Sequence, residues 1–521
     1  MKKQLGILLA ASVVITAPAA AQDAASFLEA ADNAIGASTV DSIQYSGTGW
    51  RGAVGQNFID GEDWPRHVLQ SYERVIDYPS QSSREEYVRV QGDFPARGGG
   101  GTPIIGERHT LEFTSGGYAW TLNGDGEPVA QSPANAVLAQ FMITVSPHGI
   151  IQSAMAADDV TLVDRYIPTQ DRTLKVMAFT TMDGHRVSIE FNDEHMMERF
   201  MTQISNSVMG DMQMEVRYEE WADIGNGIMF PFHFHGHRGD HLLTARTGMN
   251  WFNLNVSEVT ANVADAAINV PANVRNASAP QVNVNAQQIA DGVWLMAGGS
   301  HNSVAIEFDD FVTVVEAPQN EARSLAVITE INSLIPGKTI RHLVNTHHHW
   351  DHLGGARTYV AQGATVITHD SNQSFYRDAV FAPQIRTLSP DTLSRNPFAT
   401  TGPGPIGFET VTDRHFISDG DRTVLIFNVQ NLAHAADMLV VYLPEEEILI
   451  NADLWRPPAA GALAPANINA SAVALYRNIQ RLNLDVTTHV PIHGQPGSHA
   501  DFQRIVGPAA MQQQAALEGG G

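Results

Sequence analysis

The sequence predicts an α/β domain in its second half, preceded by a β-rich domain of antiparallel sheet. Three observations carry this. Through residue 275, short stretches alternate polar and apolar residues, the period-two mark of half-buried strands. After a run of small polar residues, Asn276 to Gln281, apolar runs of strand length alternate with helical patterns, as in a layered α/β domain. And 521 residues exceed one ordinary domain. The expected units are therefore 22–275, a linker at 276–281, and 282–521.

Residues 1–21 read as a signal peptide. Lys2 and Lys3 form its charged start, Leu5 to Ile15 its apolar stretch, and Ala19-Ala20-Ala21 a small-residue cleavage site. The apolar run is too short to span a bilayer, and no later run qualifies. A periplasmic or secreted protein without a transmembrane segment is expected. With no Cys, the chain has neither disulfides nor thiolate ligands. Its formal charge of −25 argues against nucleic acid as a partner, which calls for a basic footprint.

Ala24 to Gly36 reads as a short helix. Strand alternation follows through Ile43, Tyr45 and Gly47, again around Tyr87 to Gln91, and from Leu111 to Leu122. Arg97 and Gly98 to Gly101 predict a turn rather than a phosphate cradle, since no helix beginning Lys-Ser or Lys-Thr follows. Pro133 to Ala157 is the one long helical stretch of this half, and Thr173 to Val256 returns to short strands. His233, His235 and His237, with His241 nearby, share one strand face. They read as a polar, solvent-facing row, with a metal site as the alternative. The Met-rich stretch Met196, Met197, Met201, Met209, Met212 and Met214 suits either core filling or adaptable apolar contacts.

Beyond the linker, strands are expected at 282–284, 293–296, 303–308 and 311–316, and a helix at 322–334. The apolar run Ile340 to Val344 then leads into Asn345-Thr346-His347-His348-His349-Trp350-Asp351-His352-Leu353-Gly354-Gly355, ahead of a helix from Ala356. A strand at 364–368 and a helix at 371–381 precede a Pro- and Gly-rich segment, 382–415, expected to be a loop. Strands at 423–429, 438–443, 447–450 and 486–491 and a helix at 472–483 complete the half, ahead of a tail, 509–521, helical at first.

His347, His349, Asp351 and His352 have the spacing H-x-H-x-D-H on a strand-to-helix loop. Alternating imidazoles can converge on one ion, and an adjacent Asp-His pair can turn toward a second. His434, Asp453 and His493 each follow a predicted strand, and strand ends of such a domain gather at one edge. This ordered set resembles the metallo-β-lactamase-fold hydrolase superfamily over about 282–508. The resemblance implies an αββα sandwich with two zinc ions per chain. His347, His349 and His434 would hold the first, Asp351, His352 and His493 the second, and Asp453 would bridge both. It implies attack on an ester, lactone or thioester by a metal-bridging hydroxide oriented by Asp351, which makes Asp351 the catalytic residue. Asp437 matches a recurrent position that is not carried over as a ligand.

Within the superfamily, true β-lactamases carry Cys or Ser where this chain has Asp453, so the sequence resembles the glyoxalase II and lactonase branches instead. Flavin-linked diiron members have Glu in place of the second histidine, here His349. An alternative is an oxidoreductase similar to persulfide dioxygenases, with one iron on His347, His434 and Asp453. A third reading is an apolar-ligand binding protein. In the first half, Asp223 to Pro231 and Val256 to Pro271 resemble the last strands of periplasmic lipoprotein-carrier half-barrels. That likeness implies a small-molecule substrate, long-chain or bulky and hydrophobic, selected by the first domain. Trp350, Trp455 and Arg456 are candidates for the mouth of the site, and 282–521 is expected to contain the whole active site.

Overall fold

The computed structural model describes residues 17–92, 94, 96–240, 249–279, 281–381, 386–395, 406–459 and 461–519. The first sixteen residues of the expected signal peptide, His241, and parts of the 382–415 segment lie outside these. The helix expected from Ala24 begins earlier and spans Ala17–Ile35. It buries Ala24, Leu28, Ala31 and Ile35, a three-to-four-residue spacing that forms one helical face.

Thirteen antiparallel strands between residues 42 and 261 form a single sheet. Its first strand, Ser42–Gly52, pairs with its last, Met249–Ala261, with Ile43 opposite Ala261 and Arg51 opposite Phe252. From this central pair the remaining strands extend outward in hairpin order, ending at Pro128–Ala130 on one edge and Thr161–Ile167 on the other. The link between the edges, read from the sequence as one long helix, is two helices, Pro133–Thr144 and Gly149–Met155, meeting at 86°. Pro147 explains the break: its ring disfavours a helical Ser146, and it has no N–H to donate. Both helices pack on the sheet, where the Tyr218 hydroxyl donates to the Val145 carbonyl at 2.7 Å. Met197, Met209, Met212 and Met214 are buried in the core, so four of the six methionines of that stretch serve packing, while Met196 and Met201 are half-buried. Among the described residues no single helix is long and apolar enough to cross a bilayer.

The second half contains two further sheets. One has seven strands in chain order from Asn285–Ala290 to Phe408–Val411, and the other six, from Arg414–Ser418 to Gly497–Ser498. They face each other across a dry layer including Val304, Ile306, Val344, Leu439, Val441 and Ile450. Alternate residues serve the outer layers. Val440 and Tyr442 pack with the helices Ala470–Leu482 and His499–Gly519, while Val312, Val314 and Leu343 pack toward Glu321–Leu334. Strands covered on both faces read as near-continuous apolar runs, which is why they were plain in the sequence.

Several expected elements shift. The strand placed at 282–284 is Asn285–Ala290. The helix placed at 371–381 is a chain of short turns ending in a π-helical segment, Tyr376–Val380. The segment read as a loop over 382–415 contains a helical turn, Thr392–Arg395, the strand Phe408–Val411 and the start of another, Arg414–Ser418. Both strands lie at sheet edges, where few apolar residues are needed, so their periodicity is faint.

The same segment ties the halves together. Arg386 donates to the carbonyls of Ser207 at 3.0 Å and Val208 at 2.8 Å, and Asp211 accepts from the Thr387 and Leu388 amides. Asp391 pairs with Arg357 and Arg386. Burial alone would raise the Asp391 carboxyl, but these guanidinium groups hold it down at about 2, against an ordinary 3.8. A depressed carboxylate stabilises the fold above its unfolded value, and that contribution is lost as pH falls through the folded value. Asp391→Asn should therefore lower the urea midpoint clearly at neutral pH. The gap from the unaltered chain should narrow as pH drops from about 4 to about 2. A gap independent of pH would mean the pair contributes nothing as a pair.

Candidate metal centre

Every candidate ligand leaves the end of a strand. Thr339–Val344 runs into the loop of His347 and His349, and a single helical turn, Trp350–Leu353, presents Asp351 and His352. His434 follows Thr423–Asn428, Asp453 follows Ile448–Asn451, and His493 follows Thr488–Pro491. Asp453 has φ 59°, a left-handed conformation that costs a non-glycine residue about 1–2 kcal/mol and that Asp tolerates better than most.

These side chains form two groups of four, each with donor atoms within 4.8 Å of one another. One is His347, His349, His434 and Asp453; the other is His301, Asp351, His352 and His493. His347 Nε2 lies 3.0 Å from His349 Nδ1. The Asp453 carboxylate reaches both groups. Its Oδ2 lies 2.9 Å from His434 Nε2 and 3.1 Å from His352 Nε2, and its Oδ1 lies 2.8 Å from His493 Nε2. All seven residues singled out in the sequence thus come together. His301 was missed. It follows the strand Val293–Ala297 and sets Nε2 3.3 Å from Asp351 Oδ2. The strand-end criterion that picked out His434 and His493 applies equally to it.

The outward ring nitrogens are spoken for, which fixes which nitrogen faces the centre. His352 Nδ1 pairs with Glu316 at 2.8 Å, His349 Nε2 donates to the Asn57 carbonyl at 2.9 Å, and His493 Nδ1 donates to the Ser300 carbonyl at 3.0 Å. His348, between two candidate ligands, turns away to a buried pair with Asp437 at 2.9 Å. That contact pins the His-rich loop to the loop of His434 and gives Asp437 a positioning task.

Burial, and then the charge of His352, push His347 down; burial and the neighbouring histidines push His349 well down. Both are therefore neutral donors. Burial would raise Asp351 and Asp453. The hydrogen bond from His301 and the charge of His352 hold Asp351 far below the usual range, and His352, His347 and His434 do the same for Asp453. Burial would lower His352, but Asp453 and Glu316 raise it well above its ordinary value. The proton it attracts at Nε2 marks a place that favours a cation. Neutral imidazoles and ionised carboxylates whose donor atoms converge in two groups of four are a donor set that fits divalent metal.

Residues 296–489 match the family model of the Metallo-beta-lactamase superfamily. This segment is a metallo-beta-lactamase superfamily domain. Similar solved structures include a metallo-beta-lactamase from Pontibacter korlensis, at 20% identity over 44% of this chain and 99% of that one, with a TM-score of 0.32. Another, from Hirschia baltica, has 19% identity over 43% of this chain and 96% of that one, with a TM-score of 0.31. FIM-1 from Pseudomonas aeruginosa, in its mono-zinc form, has 22% identity over 44% and 96%, with a TM-score of 0.31. No curated protein matches the chain.

The metallo-beta-lactamase domain does not complete its own site, contrary to the expectation from sequence. Besides Asn57, the first half supplies Gln56, whose Nε2 donates to Asp351 Oδ1 at 2.7 Å while its Oε1 accepts from the Gly100 amide at 2.8 Å. The glycine run read as a turn is a close-approach loop. A Cβ on Gly99 would stand 2.7 Å from His349 Cε1, and the Gly98 amide donates to the Ala433 carbonyl at 2.7 Å. Trp350 does not line the mouth. It packs edge-on against Trp64, ring centroids 5.7 Å apart, over Gly55, where a Cβ would meet its ring at 2.4 Å. Trp455 and Arg456 do line the cavity that opens on the centre, a space of about 1420 Å³ shared by both halves. His233, His235 and His237 share a strand face but form no metal group among the described residues; His233 pairs with Glu219 and His237 with Glu215.

Proposed function

We propose that the chain is an exported, zinc-dependent hydrolase of the bridging-Asp kind, cleaving an ester, lactone or thioester of an apolar acid. The observation that carries this reading is the Asp453 carboxylate, with one oxygen against His434 and His352 and the other against His493. His347, His349 and His434 would hold one zinc and Asp351, His352 and His493 the other, with Asp453 between them. His301 is a further candidate donor beside Asp351. Zinc at such a centre supplies a water acidified to near neutral pH and a Lewis acid for a carbonyl.

The chain's own residues supply the rest. Gln56 and His301 clamp the two Asp351 oxygens, which keeps that ionised carboxylate aimed and able to accept a proton from the attacking water. Glu316 and the Asn57 carbonyl hold the rings of His352 and His349 in orientation. The cavity gives an apolar acyl chain a place out of water, worth up to about 0.8 kcal/mol for each buried methylene.

Protein recovered from the periplasm should begin at Gln22 by intact mass and contain two zinc ions per chain by elemental analysis, without added metal. A single iron would favour the dioxygenase reading, and a metal-free, inactive protein the binding-protein reading.

A further inference from the structure

On the side of the large sheet, the cavity is walled by aromatic residues, among them Tyr45, Tyr72, Phe234, Trp251 and Phe252. Its charges run against those of the chain. In a protein of net charge −25, Arg51, Arg74, Arg89, Arg108 and Arg238 line this part, with only Glu85 and Glu112 as carboxylates. Arg51 pairs with Glu85 and lies over Tyr87 at 4.6 Å. Arg74 donates to Ser83 at 3.1 Å.

Arg238 differs. Its guanidinium carbon lies 3.8 Å over the Trp251 ring, and no carboxylate among the described side chains pairs with it. Its Nε and the Trp251 indole Nε1 are both buried without a hydrogen-bond partner. Both are donors. Two orphaned donors beside an uncompensated cation, in the wall of a cavity, call for an acceptor carrying negative charge. Burial and the nearby Arg51 pull the Arg238 guanidinium down to about 9, the mark of a cation left without its anion.

We infer that Arg238 and Trp251 form an anion subsite, so that the substrate has an apolar body with its scissile group at the metal centre and a singly charged oxyanion, carboxylate or sulfate, at its far end. This rests on the hydrolase reading for the scissile group and stands independently of it for the anion. Arg51, already paired, adds field rather than contact. The stacked, planar guanidinium is suited to a flat or tetrahedral oxyanion, which it can meet with two parallel N–H groups.

Calorimetry on the full-length, zinc-loaded protein tests the subsite directly with octanoate, octyl sulfate and octanol. Either anion should bind at least about tenfold more tightly than octanol, and the tighter of the two names the head group. Arg238→Gln should erase that preference. Should Arg238→Gln fail to fold, Trp251→Phe, which removes the indole donor and keeps an aromatic ring beneath Arg238, should weaken it severalfold. Equal binding of anions and alcohol overturns the inference, as does an anion preference that survives both substitutions, because the head group then sits elsewhere.

A kinetic arm compares mono-para-nitrophenyl suberate with para-nitrophenyl octanoate, and the charged ester should show the higher kcat/KM by about tenfold. If neither ester is cleaved while octanoate still depends on Arg238, the hydrolase reading fails and the subsite stands. If both are cleaved alike and octanoate binds no better than octanol, the subsite fails alone.

Discussion

Replacing Asp453 by Ala is expected to remove one zinc ion and lower kcat/KM by about a hundredfold or more, while the fold persists. This one carboxylate meets histidines of both groups, so its loss leaves His352 and His493 without the negative charge that lies between them and His434. Alanine also tolerates φ 59° less well than aspartate, a strain of about 1–2 kcal/mol that the surrounding core can absorb. Asp453→Asn separates the two effects, because asparagine accepts the left-handed backbone and removes only the charge. Elemental analysis and turnover should show both variants depleted alike. Two zinc ions and near-normal turnover in either would dismiss Asp453 as the bridge.

Deleting residues 1–281 should be as damaging. The sequence suggested that 282–521 would stand alone with its whole active site, and the ligand set does lie there. Yet the deletion takes away the Asn57 carbonyl that orients His349 and the Gln56 amide that holds Asp351. It also exposes part of an apolar cluster that runs unbroken from the large sheet to Val327, Leu353 and Phe381. The truncated chain should aggregate or, where soluble, hydrolyse a small activated ester with kcat/KM lower by about a hundredfold. Equal specificity constants for the truncated and full chains, with equal zinc content, would show the contacts between the halves to be incidental.

How legible the molecule was depended on periodicity and on chemistry at strand ends. The inner strands of the second half, buried on both faces, announce themselves as apolar runs, and the ligands that follow them stand out as His and Asp in places that otherwise hold loop residues. His301 obeys the same rule but lies alone between Ser300 and Asn302, without a neighbouring motif to draw attention to it. Gln56, Asn57 and Gly99 carry no signal at all. Two of the three act through backbone or the absence of a side chain, and their relation to His349 exists only once the halves have packed. The break at Pro147 was readable in principle; the edge strands at 408–411 and 414–418 were obscured by the prolines and glycines before them.

The pairing of Ser42–Gly52 with Met249–Ala261 orders events in time. The central ladder of the large sheet joins the two ends of its sequence, so no local hairpin can seed it, and contacts between such distant segments make for slow folding. The loop of Gln56 and Asn57 emerges just past the first of these strands, and its seat is defined only once the last strand has docked. The centre is therefore finished late, after the whole chain has been synthesised and the sheet has closed. Until then His349 and Asp351 stand without the hydrogen-bond partners that Asn57 and Gln56 bring.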